Sequence, residues 1–184
     1  MTSRSVAPYV LIALLLTAPV RADTADETTE IYTILLARFA STGRPDAPIY
    51  VMLSPRTVPV EEGYSAVGWV PEPVADDLTW RSPKASRRAI VDLLSKSGQT
   101  QEVTYKPFPA SLPLRVLPAA QAAPAGARAF VVSFSRIGFD AKTRQALVFA
   151  STTCPGLCGA GELILLTRGK AGWRITAVHR FWVS

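Results

Sequence analysis

The stretch that decides the fold is 145-QALVFASTTCPGLCGAGELILLTRGKAGWRITAVHRFW-182. Gln145 to Ser151, Glu162 to Thr167 and Trp173 to Trp182 are rich in Val, Ile, Leu, Phe and Trp, the composition of strands. Phe130 to Ile137, just upstream, has the same character. Turn residues separate the four runs: Asp140-Ala141-Lys142-Thr143, then the cysteine loop, then Arg168-Gly169-Lys170-Ala171-Gly172. Connections this short predict an antiparallel meander, because a parallel pair needs a crossover of about a dozen residues or more. Alternation assigns two faces. Phe130, Val132 and Phe134 share one, with Val131, Ser133 and Ser135 on the other. In the last run Trp173, Ile175, Ala177, His179 and Phe181 share a face, and Arg174, Thr176, Val178, Arg180 and Trp182 take the opposite one.

The chain's only cysteines, Cys154 and Cys158, lie between two of these strands. Three readings compete. A closed zinc site wants four ligands, and with two Cys and a single His the remainder would have to be carboxylates. A thioredoxin-type centre has two residues between its cysteines and opens a helix; here three intervene, with Pro155 and Gly156 in a strand-to-strand loop. The favoured reading is a disulfide that pins the loop, worth about 2 kcal/mol by chain entropy for so small a ring.

Upstream, a sheet with an apolar face needs a cover. Thr24 to Ser41 reads as a helix, with Thr24 and Glu27 at capping-box spacing and Ile31, Ile34, Leu35 and Phe39 on one face. Thr42-Gly43-Arg44-Pro45 ends it, and Ile49 to Leu53 reads as a strand. A second helix is predicted from an N-cap at Ser82, with Pro83 at its first position, to a C-cap at Gly98. Its stripe is Ala89, Ile90, Leu93 and Leu94. Between these, Pro59, Pro71 and Pro73 exclude a long helix and any central strand, leaving room for a short helix near Pro73 to Trp80. From Thr100 to Ala127 the chain is rich in Pro and Ala; Val103 to Tyr105 and Leu114 to Leu117 are candidate short edge strands, and LPAAQAAPAGA is expected to be a loop. The fold class expected is therefore α+β, with N-terminal helices packed on a C-terminal four-stranded antiparallel meander.

The N-terminus reads as a signal peptide over residues 1–22. Arg4 supplies the early positive charge, Tyr9 to Leu16 is unbroken and apolar, and Val20 and Ala22 are small residues at the positions a signal peptidase reads. The apolar run is shorter than the roughly 20 residues that a membrane span requires. Cleavage after Ala22 would leave 23–184 as a single α+β domain, periplasmic or secreted, with no transmembrane segment. It would remove Arg4 and Arg21 and no acid, lowering the formal charge from +6 to +4. Fifteen of the 20 basic residues are arginine, yet they are scattered, and no basic run interleaves with aromatics as nucleic-acid binding would need.

One resemblance rests on the C-terminal strands. Ser135 to Phe139, Ala146 to Phe149, Gly156 to Gly161, Leu165-Leu166, Gly172-Trp173 and Trp182 to Ser184 form a series similar to the C-terminal half of a family of exported bacterial proteins of unknown function. The resemblance implies export and this strand arrangement, and transfers no catalytic residue. A Gly-x-Trp hairpin also occurs in cystatin-like and cone-like folds, an analogy of fold alone.

No stretch assembles a catalytic constellation. His179, the single histidine, shares its expected face with Trp173, Ile175 and Phe181, the setting of a packing residue. Ser133 and Ser135 lack a Gly-x-Ser-x-Gly elbow. Asp76-Asp77 and Glu61-Glu62 are sequence neighbours, which do not face one another on a helix. GLCGAG lacks the lysine and the helix of a phosphate loop. Neither a cofactor nor a metal is expected. Composition and pattern favour an exported non-catalytic module that binds an envelope partner or a small ligand, with His179, Arg174, Arg180 and Trp182 as the candidate contacts. The competing class is a periplasmic enzyme, either a hydrolase using His179 or a thiol-disulfide enzyme using Cys154 and Cys158.

Overall fold

The computed structural model describes residues 25–44, 46–60, 84–154 and 158–183, without the side chains of Phe181 and Trp182. The signal peptide, the expected caps at Thr24, Ser82 and Pro83, the short helix near Pro73 to Trp80 and the tip of the cysteine loop lie outside them. Helix α1 (Ala25–Ala37) passes into a 3-10 turn (Arg38–Thr42), which stops at Gly43. A side chain at Gly43 would meet the Pro113 carbonyl oxygen at 2.5 Å, so the chain can pass there only without one. Strand β1 (Ile49–Leu53) follows, then helix α2 (Arg87–Lys96) and strands β2 (Leu114–Pro118), β3 (Ala129–Phe134), β4 (Gly138–Asp140), β5 (Gln145–Cys154), β6 (Cys158–Gly169) and β7 (Gly172–Val183).

The class is α+β-like, but the sheet is larger than a four-stranded meander and is mixed. Its order is β2-β1-β3-β5-β6-β7, with β4 also paired to β5. The expected antiparallel meander is its C-terminal part: β3–β5, β5–β6 and β6–β7 all pair antiparallel. β1, however, lies parallel to both β2 and β3, with Tyr50 opposite Arg115 on one side and Ala129 on the other. This parallel half departs from the wholly antiparallel sheet of a cystatin-like or cone-like fold. The long connection from β1 to β2 carries α2, and residues 119–128 then take the chain past β1 to its other edge. The candidate edge strand at Leu114 is β2. Val103 to Tyr105 forms no strand, although Val103 N–H bonds the Pro55 carbonyl at 3.0 Å.

Both faces of the sheet are buried, not one. Ala146, Val148 and Ala150 of β5 join Ile164 and Leu166 of β6 and Ile31, Tyr32, Leu35 and Leu36 of α1 in one core. Leu147 and Phe149, with Leu163 and Leu165, join Ala89, Ile90 and Leu93 of α2 in a second core. Alternate residues of a strand point to opposite faces, so these two sets show that α1 and α2 cover opposite sides. The fully buried face of α1 is centred on Ile31, Tyr32, Leu35 and Leu36; the expected Ile34 and Phe39 sit at its margin.

Helix α2 is shorter than expected. Residues 84–86 are non-helical, and Ser86 is the N-cap, its hydroxyl accepting the Ala89 N–H at 3.1 Å. Its last turn closes through the Ser97 N–H on the Leu94 carbonyl at 3.1 Å, so Gly98 is not the cap, and Leu94 is exposed rather than part of the buried stripe. The expected Phe130 to Ile137 strand breaks after Phe134. Ser135 keeps its place beside β5 by its side chain: its N–H reaches the Phe149 carbonyl and its hydroxyl accepts the Phe149 N–H, each at 2.9 Å.

Two irregularities reset β7. Leu166 faces Ile175 while Leu165 faces Ala177, leaving Thr176 as an extra residue whose hydroxyl donates to the Leu165 carbonyl at 3.2 Å. Glu162 faces Arg180 while Gly161 faces Trp182, leaving Phe181 over. A bulge shifts every later residue to the opposite face. Trp173 and Ile175 therefore pack on the α1 side, whereas Ala177 packs on the α2 side. The single face expected for Trp173, Ile175, Ala177, His179 and Phe181 is split by the bulge at Thr176.

Candidate functional site

The one acidic residue in the apolar run of β6 organises the site. Glu162 is buried, and a buried carboxylate is costly unless paired. Arg38, in the 3-10 turn that leaves α1, bonds its Oε2 through Nη2 at 2.9 Å. Arg180, directly opposite on β7, bonds Oε1 through Nη2 at 3.0 Å and Nε at 3.2 Å. One buried anion thus fixes two guanidiniums from elements far apart in sequence.

Beside this clamp lies a cleft of about 400 Å³, lined by Arg38, Phe39, Arg128, Phe130, Thr152 and Glu162 together with Ser41, Thr42 and Ala160. That size falls in the range of small-ligand pockets. Phe39 and Phe130 form its aromatic wall, ring centroids 5.6 Å apart and tilted by 42°. The Arg128 guanidinium carbon stands 5.5 Å from the centre of the Phe130 ring. Counting Arg180, three guanidiniums surround one carboxylate, so the cleft has a positive balance. Its floor is the β5–β6 hairpin: Thr152 pairs with Ala160, two residues inward of the pair Cys154–Cys158. Those cysteines are joined as a disulfide with Cα atoms 5.5 Å apart, as expected.

The candidate contacts do not converge. Arg180 reaches the clamp. Arg174, opposite Thr167, and His179, opposite Leu163, stand on the face that α2 covers. Trp182 pairs with Gly161 through its backbone, and its side chain lies outside the described residues. Glu162, Arg38, Arg128, Phe39 and Phe130 escaped the sequence reading as site residues. A lone acid inside Glu162-Leu-Ile-Leu-Leu was the available signal, since an acid in a two-sided strand must find a cation. Among the described residues, no three of His, Cys, Asp and Glu gather as metal ligands, and no helix is long and apolar enough to cross a membrane.

A second cleft, of about 350 Å³, opens at the other end of α1 among Glu27, Phe139, Asp140, Arg144, Arg168 and Trp173. Its two acids balance its two arginines. Arg168 pairs with Glu27 and lies over the Trp173 ring at 5.9 Å, and Glu30 accepts the Trp173 backbone N–H at 3.2 Å. These contacts fasten α1 to the β6–β7 turn. Asp140 is similarly committed. Burial opposes its charge, but hydrogen bonds from the Ser86 and Thr143 hydroxyls and the Lys142 and Thr143 N–H groups outweigh that and hold its carboxyl below the usual range. The charges here serve the fold, which leaves the Glu162 cleft as the better candidate.

No protein-family profile matches the chain, and no curated protein or solved structure is similar to it.

Proposed function

We propose that the protein is an exported, non-catalytic binding module that takes a small anionic ligand in the cleft beside Glu162. The observation that carries this reading is the clamp. A buried carboxylate holds Arg38 and Arg180 in place at the rim of a cleft that Arg128 also enters. Guanidiniums held in advance lose little freedom when they meet an anion, which favours binding. The residues an enzyme would need stand elsewhere: His179 is on the opposite face of the sheet, and the two thiols are joined to each other. Export is supported by the Arg4-to-Ala22 leader and is compatible with a disulfide at Cys154–Cys158.

The test is a calorimetric titration with benzoate and inorganic phosphate, using protein purified from the periplasm. Binding of either anion to the wild type, weakened about tenfold or more in Arg128→Ala and unchanged in Arg174→Ala on the other face, supports the reading. No binding of either anion, or equal loss in both variants, refutes it. Intact mass of the same sample checks export: an N-terminus at Asp23 is expected, and a retained leader would overturn that part.

A further inference from the structure

Resting on that reading, we infer that the ligand is an aromatic acid: a flat ring seated against Phe39 and Phe130, with its carboxylate or other anionic group received by Arg38 and Arg128. Three observations combine. The first is the aromatic wall itself. Phe39 and Phe130 are half-buried, and their rings meet at 5.6 Å while still lining open space. A third ring set against this pair would gain offset or edge contacts in addition to burying apolar area.

The second observation concerns which groups can receive an anion. Ser41 and Thr42 line the cleft, but their hydroxyl protons are committed. Ser41 Oγ donates to the Arg38 carbonyl at 2.8 Å, and Thr42 Oγ1 donates to the Phe39 carbonyl at 3.0 Å. Both therefore present lone pairs, which repel an anion. The guanidiniums are the donors that remain.

The third is the position of those donors. Arg38 spends one of its N–H bonds on Glu162, and a guanidinium has five. Arg128 lies over Phe130 and has no carboxylate partner among the described residues. The charge is thus placed at the edge of the apolar wall. A small inorganic anion would use the arginines and leave the wall wet. A neutral arene would use the wall and leave the arginines without an anion. Only a ligand carrying both parts uses the whole cleft.

The probes are 2-naphthoate, the neutral 2-naphthylmethanol, acetate and inorganic phosphate, each titrated calorimetrically into the disulfide-intact protein. The expected result is that 2-naphthoate binds at least tenfold more tightly than acetate, phosphate or 2-naphthylmethanol. Arg128→Ala and Phe130→Leu should each cost about tenfold in naphthoate affinity, and Arg128→Lys should recover part of the first loss, because charge is kept and the planar fork is not. Phe130→Leu keeps an apolar residue, and its thermal midpoint shows whether the fold is intact; should it fail to fold, Arg128→Ala and the ligand series decide. Equal affinity for acetate and 2-naphthoate overturns the aromatic part while leaving an anion-binding cleft. Equal affinity for 2-naphthylmethanol and 2-naphthoate overturns the charge-recognition part. Silence from all four probes removes both this inference and the reading on which it rests.

Discussion

Ser135 is polar, wholly buried and placed where β3 ends, and it holds two elements at once. Its hydroxyl accepts the Phe149 N–H at 2.9 Å and donates to the Arg136 carbonyl at 2.7 Å, while its own carbonyl receives the Tyr32 hydroxyl of α1 at 2.9 Å. Ser135→Ala would strand a buried N–H in β5, a loss of about 1–3 kcal/mol. Urea unfolding should show a lower midpoint with an unchanged slope; an unchanged midpoint would mean that water replaces the hydroxyl. Asp140 sets the acid limit. Its folded pKa lies below the ordinary value near 3.8. Its contribution is thus fully present above that value and is lost as the pH falls through the folded pKa. Stability should decline with acid below about pH 4, and Asp140→Asn should flatten that decline while lowering stability at neutral pH. An identical acid limb in the variant would assign the decline to other carboxylates.

At the scale of elements, α2 and β4 meet backbone to backbone. A Cβ on Gly138 would lie 2.3 Å from the Ala89 carbonyl oxygen and 2.5 Å from the Leu93 nitrogen, atoms that cannot rotate away. Gly138→Ala should therefore push the helix off the sheet at a cost of about 1–3 kcal/mol, read as a lower thermal midpoint. A wild-type midpoint would show that α2 shifts freely. The β5–β6 hairpin makes a different prediction. Its disulfide closes a ring so small that the chain-entropy gain is about 2 kcal/mol, but it also stands next to Thr152 and Ala160 on the cleft. Replacing both cysteines with serine should lower stability by about that amount and weaken benzoate binding. Lost stability with unchanged affinity would confine the bond to a structural role.

The whole molecule is two cores that share one pair of strands. Leu35 of α1 and Leu93 of α2 never meet, yet β5 and β6 contribute alternate residues to the cores of both. Such sharing predicts a single cooperative transition. Leu35→Ala and Leu93→Ala should each lose about 2–5 kcal/mol, with far-ultraviolet dichroism and tryptophan fluorescence falling together in both variants. A split transition in either one would show that its layer unfolds alone.

How far the fold was legible follows from how local its causes are. The strands Gln145 to Ser151, Glu162 to Thr167 and Trp173 to Trp182, their turns, and the cysteine staple all depend on neighbours in sequence. Composition, turn residues and a spacing of four determined them. The uninterrupted runs Ala146-Leu-Val-Phe-Ala and Leu163-Ile-Leu-Leu already implied burial on both faces, because alternation disappears when neither face meets water. The rest was decided by contacts between distant segments. β1 lies parallel between β2 and β3 only because the chain returns twice to its edges, and no short-range pattern encodes that choice. A single bulged residue, Thr176, exchanged the faces of half of β7, since side chains alternate with a period of two and one extra residue inverts all that follow. That inversion sent Arg180 to Glu162 and His179 to the opposite side. Sequence by itself therefore determined the strands and the staple, through local propensity and covalent spacing. Tertiary structure alone decided the clamp and its cleft, because Arg38, Arg128, Glu162 and Arg180 meet only once the sheet is built and a buried carboxylate must be paired.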